Sequence, residues 1–398
     1  MKLSNRLLAM QESPIRKLVP YADKAKKEGK KVYHLNIGQP DIETPKEFLA
    51  AIRAFDEKVI KYSNSKGDAK LIDAIVAYYK RIGIEFESDD ILIMNGGSEA
   101  ILFALMAVAD EGDNILVPEP FYTNYGGFAV PAGLSIKPIT TLAENAFRLP
   151  SYDEMASLVD GKTRAILLSN PGNPTGAVYS KEEIEAVARL AKEKELFIIA
   201  DEVYREFVYD DLKYTSFGEM KDIADRVIIV DSVSKRYSAC GARMGSIACK
   251  NRELVKGVLK LCMGRLCVPT LEQVGATALY EIDMSYFAPI KEEYTKRRDI
   301  VFEALQKMEG VICEKPRGAF YVIAKMPVDD AEKFVIWMME NFDIDGETLM
   351  FAPAEKFYAT PNMGKNEARL AYVLNAEDLK KAMNILDKAL KAYPGRTI

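Results

Sequence analysis

Lys235 follows the strand-like run Val227-Ile228-Ile229-Val230-Asp231-Ser232-Val233-Ser234 and stands eight residues before Arg243. An amine adds to a carbonyl only when unprotonated, so a lysine placed for that addition needs burial or neighbouring positive charge. A phosphate held beside it needs backbone N–H groups, hydroxyls and the planar fork of an arginine. A pyridine ring acting as an electron sink needs a carboxylate to keep its nitrogen protonated. Lys235, Arg243, Ser232 and Asp201 meet those needs. Their order points to a lysine that holds pyridoxal phosphate as a Schiff base. Any one of them alone is equally well explained as a solvated loop side chain. Several independent pieces in the right order are not.

Further pieces lie where strands should end. Asn170-Pro171-Gly172-Asn173-Pro174-Thr175-Gly176 follows the apolar run Ala165-Ile166-Leu167-Leu168 and precedes a helix starting at Ser180. Such a turn presents Asn173 at a strand's C-terminal edge, where open α/β sheets bind ligands. Phe197-Ile198-Ile199-Ala200-Asp201 places a carboxylate at another strand end, with Tyr204 three residues later. Asn95-Gly96-Gly97-Ser98-Glu99 sits between the strand Ile91–Met94 and an apolar helix. Glycines there let backbone N–H groups at the helix start approach a phosphate closely.

From Gly38 to Arg369 these motifs resemble the class I and II aminotransferases, fold type I enzymes that use pyridoxal phosphate. The resemblance implies that Lys235 is the Schiff-base lysine and that Asp201 pairs with the pyridine nitrogen. It implies that Asn173 and Tyr204 bond the ring's 3′-oxygen, and that Gly97, Ser98, Ser232 and Arg243 hold the phosphate, with Ser234 a further candidate. Tyr122 corresponds to the family's aromatic stacked on the ring, although core packing would also suit it. Arg369 corresponds to the arginine that grips the substrate α-carboxylate, a bidentate task that lysine performs poorly. Gly38 corresponds to a glycine whose backbone touches the same carboxylate. Tyr62 matches a tyrosine that crosses to the neighbouring subunit's phosphate, so the implied active unit is a homodimer with shared sites.

The elements that must position these residues alternate in the manner of an α/β protein. Strands are expected near 91–94, 114–118, 135–139, 164–169, 196–200, 227–231 and 245–249, with helices between most of them. That pattern predicts a mostly parallel sheet covered by helices. After about Pro289 a long charged helix, strands at Ala319–Ala324 and Ala368–Leu374 and helices near 329–341 and 376–392 suggest a smaller α+β domain. By the resemblance, residues 1–45 join that small domain, 46–288 form the large cofactor-binding domain and 289–398 the small one.

Composition bounds the rest. The 398 residues carry a net charge of −5, with 48% hydrophobic and 28% charged side chains, an ordinary balance without the basic footprint of a nucleic-acid binder. Five cysteines in no paired metal spacing predict a reduced, cytoplasmic chain, and no metal is expected. Neither a secretory leader nor a membrane span is expected. The one histidine, His34, lies in a strand-like segment and is expected to be structural.

Substrate choice depends on what lies opposite Arg369. A dicarboxylic substrate needs a second cation, whereas an alanine, aromatic or kynurenine substrate needs an apolar or neutral wall. The aspartate enzymes that this chain most resembles often carry a lysine where it has Ser98. Arg265 and Arg16 are the remaining candidates for a distal carboxylate. Ping-pong transamination of aspartate with 2-oxoglutarate is the leading expectation. Carbon–sulfur lyase chemistry uses the same cofactor residues. A DNA-binding regulator is disfavoured by the absence of a helix-turn-helix before Gly38, and a non-catalytic sensor by the complete residue set.

Overall fold

In the computed structural model, which describes residues 2–398, β1 (Lys31–His34) precedes seven strands that pair into one sheet. These are β2 (Ile91–Met94), β3 (Asn114–Glu119), β4 (Ser135–Thr140), β5 (Thr163–Ser169), β6 (Phe197–Asp201), β7 (Val227–Ser232) and β8 (Gly245–Ala248). Their order is β2-β8-β7-β6-β5-β3-β4, and β8 alone runs against the others. Successive residues alternate between the two faces. Ile166, Leu168, Ile198 and Ile229 enter one apolar core, whereas Ala165, Leu167, Ile199, Ile228 and Val230 enter another on the opposite face. With both faces covered, the strands can be apolar at nearly every position, which is why they read as runs rather than alternations.

The crossover helices carry local signals of their own. Lys181–Glu193 begins at Ser180, whose hydroxyl accepts from the Glu183 N–H while the Glu183 carboxylate accepts from the Ser180 N–H. This reciprocal cap satisfies two donors that a helix start leaves open. Ile184, Val187, Ala188 and Ala191 then face the sheet.

Both chain ends build the second core. β10 (Glu347–Met350) pairs in parallel with β1, while β9 (Tyr321–Lys325), β11 (Ala352–Pro353) and β12 (Glu367–Ala371) form an antiparallel sheet in the order β11-β12-β9. Leu18, Ala22, Val32 and Leu35 pack in one cluster with Phe334, Met338, Leu349 and Leu386. The helix Phe287–Lys307 bridges the two bodies: Phe287 enters a core beside the large sheet, and Val301 and Leu305 enter the second. A clamp ties them as well. Glu119, fully buried at the end of β3, accepts from the backbone N–H groups of Ala359 (2.8 Å) and Thr360 (3.0 Å) and from the Thr360 hydroxyl (2.6 Å). No helix among the described residues is long and apolar enough to cross a membrane.

Gly245 occupies the tightest point between β8 and the helix Gly96–Val108. A Cβ there would lie 2.5 Å from the Gly96 carbonyl carbon, 2.8 Å from the Gly97 nitrogen and 2.9 Å from the Asp231 oxygen, all of them backbone atoms. Gly245→Ala should therefore destabilise the protein by about 1–3 kcal/mol, the usual cost of overpacking. Denaturant unfolding of the variant beside the parent checks this.

Candidate active site

The parallel strands aim their carboxyl ends at a cavity of about 720 Å3. Gly38, Gly97, Ser98, Tyr122, Asn173, Asp201, Tyr204, Ser232, Lys235, Arg243 and Arg369 all line it. Residues separated by more than three hundred positions thus converge on one volume. Tyr62 is the exception: it stands 83% exposed and outside the lining of its own chain's cavity.

Lys235 does not extend directly from a strand as its flanking sequence suggests. β7 stops at Ser232, whose hydroxyl accepts from the Ser234 N–H (3.1 Å) and caps a single helical turn, Val233–Arg236. This turn directs the Lys235 amine onto the Gly38 carbonyl oxygen at 2.7 Å. Gly38 must be glycine, because a Cβ there would run into the Tyr321 ring. The helix Gly96–Val108 starts at Gly96 with φ +75°, and Arg243, itself left-handed at φ +52°, lies over that glycine. A left-handed arginine is an uncommon, mildly costly conformation that surrounding structure must impose. Here it brings a guanidinium beside a helix N-terminus, a combination suited to an anion.

Two deeply buried charges in the cavity wall have no ionic partner among the described residues. Arg369, on β12, is 1% exposed; it donates to the Asn36 carbonyl (2.6 Å) and to Asn173 Oδ1 (3.1 Å), leaving its Nε unbonded. Its guanidinium lies 4.6 Å from the Tyr321 ring centroid, and burial lowers its pKa. Asp201 accepts from the Tyr125 hydroxyl (2.7 Å) and the Val203 N–H (3.4 Å). Burial pushes its carboxyl up from 3.8 to about 6 against the pull of those hydrogen bonds. An uncompensated buried charge is costly, so each of these two is suited to a ligand group of opposite sign. Tyr122, held by the Asn124 amide (2.8 Å), is likewise raised, to about 12, mainly by burial.

Several residues at or behind the wall escaped the sequence reading. Tyr321 shares a 2.8 Å hydrogen bond with the Tyr204 hydroxyl while its ring supports Arg369, so it joins two halves of the site. Tyr125 and Asn36 bond Asp201 and Arg369 directly. Tyr321 is placed by β9, Tyr125 by the helix Asn124–Ala129 and Asn36 by the segment after β1, and no one of these segments shows from its own sequence what it bonds. Arg265, a candidate for reading a distal carboxylate, pairs instead with Glu99 at 3.3 Å and donates to the Ile93 carbonyl at 3.1 Å. It is absent from the lining of this chain's cavity. His34 also lies outside, against Asn36 Oδ1 at 3.3 Å.

The family model for aminotransferase class I and II matches residues 30–385. The chain belongs to that family. Among similar curated aminotransferases, the aspartate aminotransferase of Pyrococcus horikoshii is 31% identical, with 98% of this chain and 97% of that one covered. Aromatic-amino-acid aminotransferase 2 of Thermococcus litoralis is 32% identical, covering 98% of this chain and 99% of that one. Two solved structures show the same fold type I architecture: the aspartate aminotransferase of Thermotoga maritima (TM-score 0.89) and the alanine aminotransferase of Pyrococcus furiosus (TM-score 0.90). Each is 30% identical and covers 98% of this chain and all of that one. The chain is therefore a pyridoxal-phosphate-dependent aminotransferase. Its cavity offers the donors this cofactor calls for: a primary amine, a carboxylate without a cation, and a guanidinium beside a glycine-led helix start.

Because the folded Asp201 carboxyl titrates near 6 rather than 3.8, the folded aminotransferase holds that proton more tightly than the unfolded chain. The resulting penalty is negligible below pH 4, grows as the pH rises through 6, and is complete above it. Its size is about 3 kcal/mol, an order-of-magnitude figure. Asp201→Asn in cofactor-free protein should gain stability on the parent between pH 4.5 and pH 7.5, by up to that amount. Denaturant melts at the two pH values measure it.

Proposed function

We propose that the physiological donor is a dicarboxylic amino acid, aspartate, exchanging its amino group with 2-oxoglutarate. The observation that carries this is Arg16. Arg16, an exposed residue, contributes to the lining of the same cavity as Arg369, and no carboxylate among the described residues pairs with it. Arg369 would take the α-carboxylate through its fork, and Arg16 the distal one. The names borne by the Pyrococcus and Thermotoga relatives support the same substrate. An aromatic donor is the second reading, favoured by Ile15, Ile37, Ile101 and Phe128 in the wall and by the Thermococcus relative.

In this reading the residues divide the work by position. Lys235 would hold the cofactor through its amine, and that amine would carry the proton at the substrate α-carbon. Asp201 holds the ring nitrogen protonated, so that the cofactor, when bound, supplies an electron sink. Asn173 and Tyr204 would bond the ring oxygen, and Tyr122 would stack on the ring. Gly97, Ser98, Ser232 and Arg243 hold the phosphate, and Gly38 lines the α-carboxylate position beside Arg369. We place the large domain at 46–288 and the small one at 289–398, with residues 1–45 forming part of the small one.

The active unit in this reading is a homodimer. Tyr62 would complete the phosphate site of a second copy, and it lies in an apolar exposed strip. Val59, Ile60 and Leu266 are exposed beside it, and the two segments are bonded through Thr270 Oγ1 to the Lys61 carbonyl (3.1 Å). Contiguous exposed apolar surface of this kind is what subunit contacts cover. Five unpaired cysteines support residence in the cytoplasm.

Lys235→Ala should reduce turnover at least roughly 100-fold, the low end for losing a general base; steady-state rates that match the parent would refute the lysine's role. Arg16→Gln should raise KM for aspartate roughly 10- to 100-fold, the worth of one charge-assisted hydrogen bond. KM for alanine should stay within about twofold. Equal effects on the two donors would reject the dicarboxylate reading.

A further inference from the structure

Beneath the cavity floor, five charged side chains contact one another in the interior. Arg236 donates from Nη2 to both oxygens of Asp231 (2.8 and 2.7 Å) and from Nε to Glu206 (2.7 Å). Arg205 donates from Nη1 to Asp231 (3.2 Å) and from Nε and Nη2 to Glu202 (3.0 and 2.8 Å). The side chains of Glu202, Asp231 and Arg236 are at most 1% exposed, and those of Arg205 and Glu206 are 5% and 6% exposed. Three carboxylates against two guanidiniums leave one negative charge in excess. Burying such a lattice stabilises a fold poorly compared with apolar packing of the same volume, so its presence calls for another reason.

Its place in the chain supplies one. Glu202 follows Asp201 at the end of β6, and Arg236 follows Lys235 in the single helical turn after β7. The two residues that would face opposite ends of the cofactor ring are thus each covalently next to a member of the lattice. Asp231 closes the connection: it accepts from the Ser232 N–H at 2.7 Å and from both arginines.

We propose that Asp231 and Arg236 are positioning residues, which fix Lys235 relative to Asp201 and place an excess negative charge beneath the cofactor lysine. The proposal rests on Lys235 being the lysine that holds the cofactor. On the cavity side, Lys235 lies among Asp201, Tyr204, Cys240 and Arg243. On the far side, the lattice meets Tyr78, whose hydroxyl donates to Glu206 and accepts from Arg205 at 3.1 Å, together with Tyr79 and Tyr280. A further cation, Arg81, lies on that side, 5.9 Å from the Tyr78 ring centroid and donating to the Tyr280 carbonyl, so it meets the lattice across aromatic rings and not through a direct ion pair. The reach of the field shows at Asp201, which Asp231 pushes upward and Lys235 pulls down, both after the larger effect of burial.

The test is a pH titration of the absorbance band of lysine-bound cofactor in protein loaded with pyridoxal phosphate. Removing a positive or a negative charge must move the midpoint in opposite directions, which loss of packing alone would not do. Arg236→Met should raise it by about one pH unit and Asp231→Asn should lower it by a similar amount. The double variant should return close to the parent. Arg236→Lys keeps the charge and should shift the band least, while binding pyridoxal phosphate several-fold more weakly because the fork to Asp231 and Glu206 is gone. If Asp231→Asn does not fold, Glu206→Gln at the rim of the lattice decides, with the same downward shift expected. Shifts of the same sign for Arg236→Met and the neutralised carboxylate, or midpoints equal to the parent's, would overturn the proposal. Lys235→Ala serves as control: retention of the band in that variant would refute the cofactor-lysine assignment itself and leave the lattice shifts to be attributed elsewhere.

Discussion

Asp201 and Arg369 are buried charges of opposite sign whose counter-ions the described residues do not supply. In a medium of low polarity such groups are costly, and a protein retains them only where the surroundings hold them rigidly. Asp201 stands at the end of β6, paired in register with Val230 of β7, and is fixed by Tyr125 and the Val203 N–H. Arg369 stands on β12 between two hydrogen-bonded neighbours and two aromatic rings, Tyr321 and Phe357. The free energy of burying the large apolar cores offsets that cost for the molecule as a whole, while these hydrogen bonds and rings hold the two groups in place. In the proposed reading, an amino-acid carboxylate and a protonated pyridine ring would supply the complementary charges.

The two charges belong to different bodies, which explains why the contacts between those bodies matter so much. Tyr321 extends from β9 to bond Tyr204, three residues beyond β6, and its ring forces position 38 to be glycine. Lys235 then spans from the large sheet to the Gly38 carbonyl. Glu119 clamps the far side of the same boundary through Thr360. A displacement of one body against the other would therefore alter the distance between Arg369 and the Lys235 amine together with every one of these contacts. Orientation of reacting groups is worth many orders of magnitude in rate, so this boundary is as much part of the site as the residues lining it.

Much of this was legible in the chain. Continuous apolar runs ending in Asp201, in the Asn173 turn or shortly before Lys235 announce strands buried on both faces, and ligands sit beyond the carboxyl ends of such strands. The helix boundaries at Ser180 and Asn375 were legible for the same local reason, a polar cap followed by an acidic first turn. Reversal of β8 was not, because a strand four residues long and buried on both faces looks alike in either direction. The pairing of Arg265 with Glu99, on another helix, was not legible either, because a cation carries no sign of its partner in its own segment. Tyr321 lay hidden among twenty tyrosines, identified only by where β9 places it.

Glu202 shows how the remaining buried charges are to be separated from the functional ones. It adjoins Asp201 in sequence, is at least as buried, and carries the same charge. Yet its oxygens accept from Arg205, from the Ser216 hydroxyl (2.9 and 2.8 Å) and from the Phe217 N–H (3.1 Å). Burial is therefore no guide to function here, since both carboxylates have it. Saturation is. Where the protein provides every hydrogen bond and a cation, as at Glu202, the charge is committed to the interior and can act only through what it holds in place. Where it provides hydrogen bonds and withholds the cation, as at Asp201, the raised carboxyl remains available to a charged ligand group. Adjacent residues on one strand end thus divide into scaffold and site by the partners that the fold brings to them, which the spacing of the sequence alone does not disclose.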